Sequence, residues 1–217
     1  MVANTFGSSR MKALFPRFSM RKTLPALALV ASTVLASCGT AVTRNGESSL
    51  LDNPLFAEWY YKDLVENMMN LEIQNDPLVK DAAKKSLIDD TRTSALAKAQ
   101  EATAKRQRGM YGIINPVSLD AKGQVLLIDG TLYFGPDTTV LPGPSLHVFL
   151  SLSLDPRSAS GATAFPVASD SDLGVLRNPY GASTYAVPAN AKNARSVVLF
   201  DTKLKRIYAF AQLRTQR

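Results

Sequence analysis

The sequence predicts an α+β protein: an N-terminal helical hairpin followed by an all-β sandwich or small barrel. Three observations carry this. Apolar residues recur at helical spacing between two start signals, Asn53-Pro54 and Asp76-Pro77, and the terminator Gly109. Beyond Gly109 the texture changes to short β-branched and aromatic runs separated by Gly and Pro turn signals. The chain has a single cysteine, so the fold holds by packing and hydrogen bonds without an internal disulfide.

Residues 1–37 have the order of a secretory signal peptide. A basic start (Arg10, Lys12, Arg17, Arg21, Lys22) precedes an apolar run from Leu24 to Leu35 and the small residues Ala36 and Ser37. The alternatives are an ordinary signal with an incidental cysteine and a short membrane span. The apolar run falls short of the ~20 residues a span needs. Leu35-Ala36-Ser37-Cys38 resembles the lipobox of bacterial lipoproteins. That resemblance implies that Cys38 carries a diacylglycerol, with acyl chains such as palmitate, and becomes the new N-terminus. The expected location is the cell envelope, anchored by lipid. Gly39 lacks the Asp that marks inner-membrane retention in some bacteria, which favours an outer membrane where one exists, and otherwise the outer face of the plasma membrane.

Cleavage before Cys38 changes the charge. The full chain carries +7, but five of its Lys and Arg and none of its acidic residues precede Cys38, which leaves +2 for residues 38–217. A nucleic-acid binder concentrates basic charge on one face, and this balance gives no reason to expect one. With its one thiol lipidated, thiol catalysis, cysteine-ligated zinc and iron–sulfur chemistry are excluded for the mature protein.

Residues 38–52, small and polar after the cysteine, read as a flexible tether. Asn53 is placed to cap a helix with Pro54 at its first position. That helix is expected to run to about Asn75, with Phe56, Tyr60, Leu64, Met68 and Leu71 on its apolar face and Trp59, Val65, Met69 and Ile73 widening it. Trp59, Tyr60 and Tyr61 read as packing onto the second helix or the sheet, in preference to forming an interfacial belt. A second helix is expected from Pro77 to Arg108, with a break near Asp89–Ser94, where Asp, Thr and Ser compete for backbone hydrogen bonds. Residues 53–109 thus form the helical segment and 110–217 the β-domain.

Expected strands are Tyr111–Asn115, Gln124–Ile128, Thr131–Phe134, Ser145–Leu152, Ser183–Val187, Ser196–Phe200 and Arg206–Gln212. In the fourth, Leu146, Val148 and Leu150 alternate with Ser145, His147 and Phe149, so one face is apolar. The last two form a hairpin across Asp201–Arg206. Asp155–Asp172, rich in Ser, Ala, Pro and Gly, reads as a long surface loop.

Three stretches of this β-region are similar to the DM13 domain, also described as an electron-transfer DM13 module. They are Pro142-Gly143-Pro144-Ser145-Leu146-His147-Val148-Phe149-Leu150-Ser151; Asp172-Leu173-Gly174-Val175-Leu176 with Gly181 and Tyr185-Ala186-Val187-Pro188; and Val197-Val198-Leu199-Phe200-Asp201 with Tyr208-Ala209-Phe210-Ala211-Gln212-Leu213. The resemblance spans roughly residues 110–213 and implies a β-sandwich. Many members carry a cysteine after the Val-Val-aliphatic-aromatic run, on which the redox role leans. Here that position is Asp201, and Ser145 stands where the family usually has Asp. A carboxylate forms neither thiolate nor disulfide, so the thiol version of the role does not transfer.

Other chemistry is thinly supported. His147, the only histidine, falls on the exposed side of its strand. Ser145 shares its face, yet no Gly-x-Ser-x-Gly elbow surrounds the pair. Asp170-Ser171-Asp172 with Gly174 starts like a calcium loop, but the twelfth position is Gly181, where a bidentate acid is required. The methionines lie in the leader, on the first helix or beside the helical segment (Met110), and none is expected with the sheet to share a haem with His147. Lys105-Arg106-Gln107-Arg108 reads as a solvated helix end. The sequence therefore predicts a non-catalytic binding or scaffold module with no cofactor, metal or nucleic acid, whose partners are the bilayer through Cys38 and an envelope protein or small ligand. The alternative is an electron-transfer or redox module using a bound cofactor.

Overall fold

The computed structural model describes residues 50–158 and 165–216, all within one compact unit, Asn45–Arg217. The leader, Cys38, most of the tether and the middle of the Asp155–Asp172 loop lie outside the described residues. The first described residues, Leu50–Asp52, form a 3₁₀ turn where tether was expected.

Helix α1 (Pro54–Ile73) starts where its cap signal puts it: the Asn53 side chain accepts from the amides of Leu55 and Phe56. Asn53 also donates from Nδ2 to the Phe134 carbonyl at 2.8 Å, so the same side chain fastens the helix to the β-domain. A 3₁₀ turn (Pro77–Lys80) leads into α2 (Ala82–Gln107), which Asp81 caps through the amides of Ala83 and Lys84. No break occurs at Asp89–Ser94. The Thr93 hydroxyl donates to the Asp89 carbonyl within the helix, and Asp89 pairs with Lys85 and Arg92. The interruption falls at Asp81 instead, where a cap ends one turn and starts the next.

The two helices pack antiparallel and are pinned at both ends by ions. Glu72 accepts from Lys85 at 3.0 Å and from Arg92 at 2.7 Å. At the other end Glu58, buried, accepts from Arg106 at 2.7 Å and Lys62 at 2.6 Å. Burial pushes the Glu58 carboxyl up, but its two cationic partners outweigh this and hold it below the ordinary range. Arg106 also donates to Gln216 and lies over the Tyr111 ring. It is a fixed clamp between α1, α2 and the chain's end, not a solvated helix terminus.

All seven expected strands form. The β-strands are β1 (Met110–Pro116), β2 (Ala121–Lys122), β3 (Gln124–Ile128), β4 (Thr131–Phe134), β5 (Thr139–Val140), β6 (Leu146–Ser151), β7 (Ser171–Val175), β8 (Ser183–Ala186), β9 (Ser196–Asp201), β10 (Arg206–Gln212) and β11 (Arg214–Thr215). They build a nearly closed antiparallel barrel in the order β7-β6-β9-β10-β1-β3-β4-β8, with β11 beside β1 and the β2-β5 pair apart. The fold is thus α+β with a small barrel. Met110 opens β1 and packs against the barrel core, a correction to the expectation that no methionine joins the sheet. Gly174 lies inside β7, and the surface loop correspondingly ends where β7 begins at Ser171.

Inward residues fill the barrel: Val125, Leu132, Phe134, Val148, Leu150 and Leu199 among them. Two outward patches are apolar as well. Leu126 and Ile128 are covered by Leu55 of α1, with Tyr111 and Tyr133 beside them. Phe149, Val198, Phe200 and Phe210 are covered by Phe165 from the long loop, and Arg157 lies over the Phe210 ring. Strands covered on both faces read as unbroken apolar runs, as Ser196-Val-Val-Leu-Phe does.

The barrel's two edge strands, β7 and β8, share no ladder. They are joined by the side chain of Tyr185, buried against Phe134. Its hydroxyl accepts from the Arg177 amide at 2.7 Å and donates to the Val175 carbonyl at 3.3 Å. The Arg177 guanidinium adds a bond to the Thr184 carbonyl and lies over the Tyr185 ring. Burial pushes the Tyr185 phenol up, so it stays protonated and able to donate. Tyr185→Phe removes both hydroxyl bonds and keeps the ring. At roughly 0.5–1.5 kcal/mol net per bond, the expected loss is about 1–2 kcal/mol in urea unfolding. An unchanged midpoint would show that the hydroxyl does not join the edges.

Candidate functional site

Asp201 ends β9, and its carboxylate is completely buried. Its Oδ1 accepts from the amides of Lys203 at 2.9 Å and Leu204 at 2.8 Å, which shapes the hairpin turn between β9 and β10. Its Oδ2 reaches across to the Ser145 amide at 3.1 Å, just before β6 begins. One side chain therefore holds backbone from two separate parts of the chain. Burial pushes this carboxyl up, but the three backbone donors, with Lys203 adding charge, outweigh it and hold it below its ordinary value.

The neighbours fit this arrangement. A Cβ at Gly143 would collide with the Asp201 carboxylate and come within 2.7 Å of the Tyr208 hydroxyl, so the chain needs glycine there. Tyr208 turns inward through a bulge in β10, between Ile207 and Ala209. The bulge leaves its carbonyl to accept from the amides of Val117 and Ser118. Ser145, which gives its amide to Asp201, is also held by its side chain. Its hydroxyl lies 2.7 Å from that of Thr202, and its carbonyl accepts from the Thr202 amide.

His147 points out of the barrel beside Phe149 and is half-buried. Its Nδ1 lies 2.9 and 3.1 Å from the two carboxylate oxygens of Asp172 on β7. Asp172 also accepts from the Gly174 amide. The sequence offered no signal for this pair, because a bulge between β6 and β7 brings the two residues together. The structure does not supply Ser145 as a nucleophile for His147, since its hydroxyl is engaged with Thr202. Nor do Asp170 and Asp172 converge: Asp170 accepts from the Val167 amide while Asp172 faces His147. Among the described residues no group of three or more His, Cys, Asp or Glu side chains is placed to hold a metal ion.

The aromatic start of α1 also departs from expectation. Trp59 and Tyr60 are exposed, Tyr60 at the rim of a groove shared with α2, and Tyr61 packs towards α2, where the Lys98 ammonium lies over its ring. Helix α1 is seated on the barrel by Leu55 and by the bond from its cap Asn53 to Phe134, which leaves the Trp59 side to solvent. No described helix is long and apolar enough to cross a membrane. Comparison with protein-family models, curated proteins and solved structures finds no match.

Asp201→Asn tests the cap. An amide is neutral and has one acceptor oxygen, so one set of backbone donors loses its acceptor and the other keeps only an uncharged one, at an expected cost of about 2 kcal/mol at neutral pH. The native carboxyl titrates below its unfolded value of 3.8. Its contribution is therefore fully present above that value and lost as pH falls through the folded one. The gap between wild type and variant should accordingly narrow in urea unfolding at low pH. A gap that is absent at neutral pH, or that widens in acid, contradicts the assignment.

Proposed function

We propose that this chain is a bacterial envelope lipoprotein: a DM13-like barrel, carried on a helical hairpin and held at a membrane by acylated Cys38, that serves as a non-catalytic binding or scaffold module. The observation that carries this reading is the use of Asp201. At the position where the family's redox role depends on a thiol, this chain has a carboxylate whose oxygens are committed to three backbone amides. The Ser145 amide donates to Asp201 and the Ser145 hydroxyl meets that of Thr202, so both positions that depart from the family pattern serve one structural junction. The leader order and the small residues before Cys38 support the anchor. Acyl chains contribute about 0.8 kcal/mol per buried methylene, and stable attachment takes more than one chain. A diacylated or triacylated form should therefore resist salt washing.

Cys38→Ser is expected to release the protein into the soluble fraction or leave it unprocessed in fractionated cells. The wild type should begin at an acylated Cys38 by intact mass. A wild-type chain without fatty acid at Cys38 would falsify the anchor. A visible absorption band or a reversible voltammetric wave in the native protein would replace the scaffold reading with electron transfer through a bound cofactor.

A further inference from the structure

The exposed large apolar side chains include a group where the chain enters the fold. Leu50 is 57% exposed, Trp59 49% and Tyr60 41%. Phe56 binds the two aromatics into one surface: its ring centroid lies 5.5 Å from that of Trp59 and 6.3 Å from that of Tyr60, stacked on the latter. The rings therefore hold one another in place before anything docks on them. Further along the same side of α1 the residues become polar (Asp63, Glu66, Asn67, Asn70), so the apolar patch is confined to the helix's first two turns.

We propose that this Phe56–Trp59–Tyr60 patch is a membrane-docking surface that rests in the headgroup layer of the bilayer and sets the orientation of the barrel above it. The inference rests on the anchor reading. Only residues 39–49 separate Cys38 from Leu50, and a chain of that length reaches at most about 40 Å even fully extended. The patch lies next to the point where that chain joins the fold, so it is held close to the lipid. Trp and Tyr, apolar bodies with one polar edge, are the side chains that favour the membrane–water interface. The charged residues next along the patch's side of α1, Asp63 and Glu66, are acidic and would be repelled by anionic lipid. The surface that fits is therefore a neutral, zwitterionic headgroup layer, and docking there is insensitive to salt.

Trp59 is the chain's only tryptophan, so its emission reports on this patch without a label. The acylated protein extracted from membranes would be reconstituted into phosphatidylcholine vesicles, with and without bromine on the acyl chains near the headgroup. The result expected is co-flotation with the vesicles, Trp59 emission at shorter wavelength than in the unfolded chain, and loss of intensity with the brominated lipid, all retained in high salt. Co-flotation with water-exposed, unquenched Trp59 overturns the docking surface and leaves the anchor standing. Short-wavelength emission that bromine does not quench also overturns it, because a second copy of the chain then covers the patch. Failure to float with the vesicles overturns the anchor reading and the docking surface together.

Discussion

The barrel depends on one buried carboxylate. Asp201 is the point at which the entry to β6 and the turn from β9 to β10 are tied together, by three amide donors to two oxygens. Leu146 pairs with Asp201 as the first rung of the β6–β9 ladder, so this contact sets the register of the most deeply buried strand pair. Gly143 is bare because the carboxylate and Tyr208 occupy the space beside it. Burying a charge is costly unless hydrogen bonds satisfy it, and here backbone amides do so. The same circumstance makes Asp201 unsuited to chemistry: its lone pairs are committed, and it has no access to solvent.

Around that point the fold solves two further problems. A sheet with free edges invites pairing with other chains, and β7 and β8, consecutive in sequence, stand at opposite ends of the order. The Tyr185 hydroxyl spans the gap between them in place of a ladder. The second problem is that the barrel is apolar outside as well as inside. Helix α1 covers one outer patch through Leu55, and the loop carrying Phe165 covers the other. The helical hairpin is thus part of the barrel's outer packing at its root, fixed by Asn53 and Arg106, while Trp59 and Tyr60 are left facing away.

What was legible in the sequence was local. Asn53-Pro54 and seven of the eight longer strands carry their signals within a few residues, as caps, alternation and turn residues. The two-residue strands β2, β5 and β11 are too short to show a period, and β7, with its Ser, Asp and Gly, lacks β-branched character until Val175. The continuity of α2 was hidden because Thr and Asp weaken helices on average, whereas Thr93 and Asp89 here bond within the helix and to Arg92. The facing of Trp59 and Tyr60 could not be read, because apolar residues surround α1 and only the tertiary contact of Leu55 decides which side is buried. At the site, the capping role of Asp201 towards Lys203 and Leu204 is a short-range pattern. Its bond to Ser145 and the pairing of His147 with Asp172 are contacts across strands that no spacing announces.

The structural role of Asp201 is tested most directly by native-state hydrogen exchange at the three amides it accepts from. If the carboxylate is the tie that holds the barrel's end together, the amides of Ser145, Lys203 and Leu204 exchange only through global opening, with protection equal to that of the β9 amides. Rapid exchange at Lys203 and Leu204, typical of an exposed hairpin tip while β9 stays protected, would contradict it.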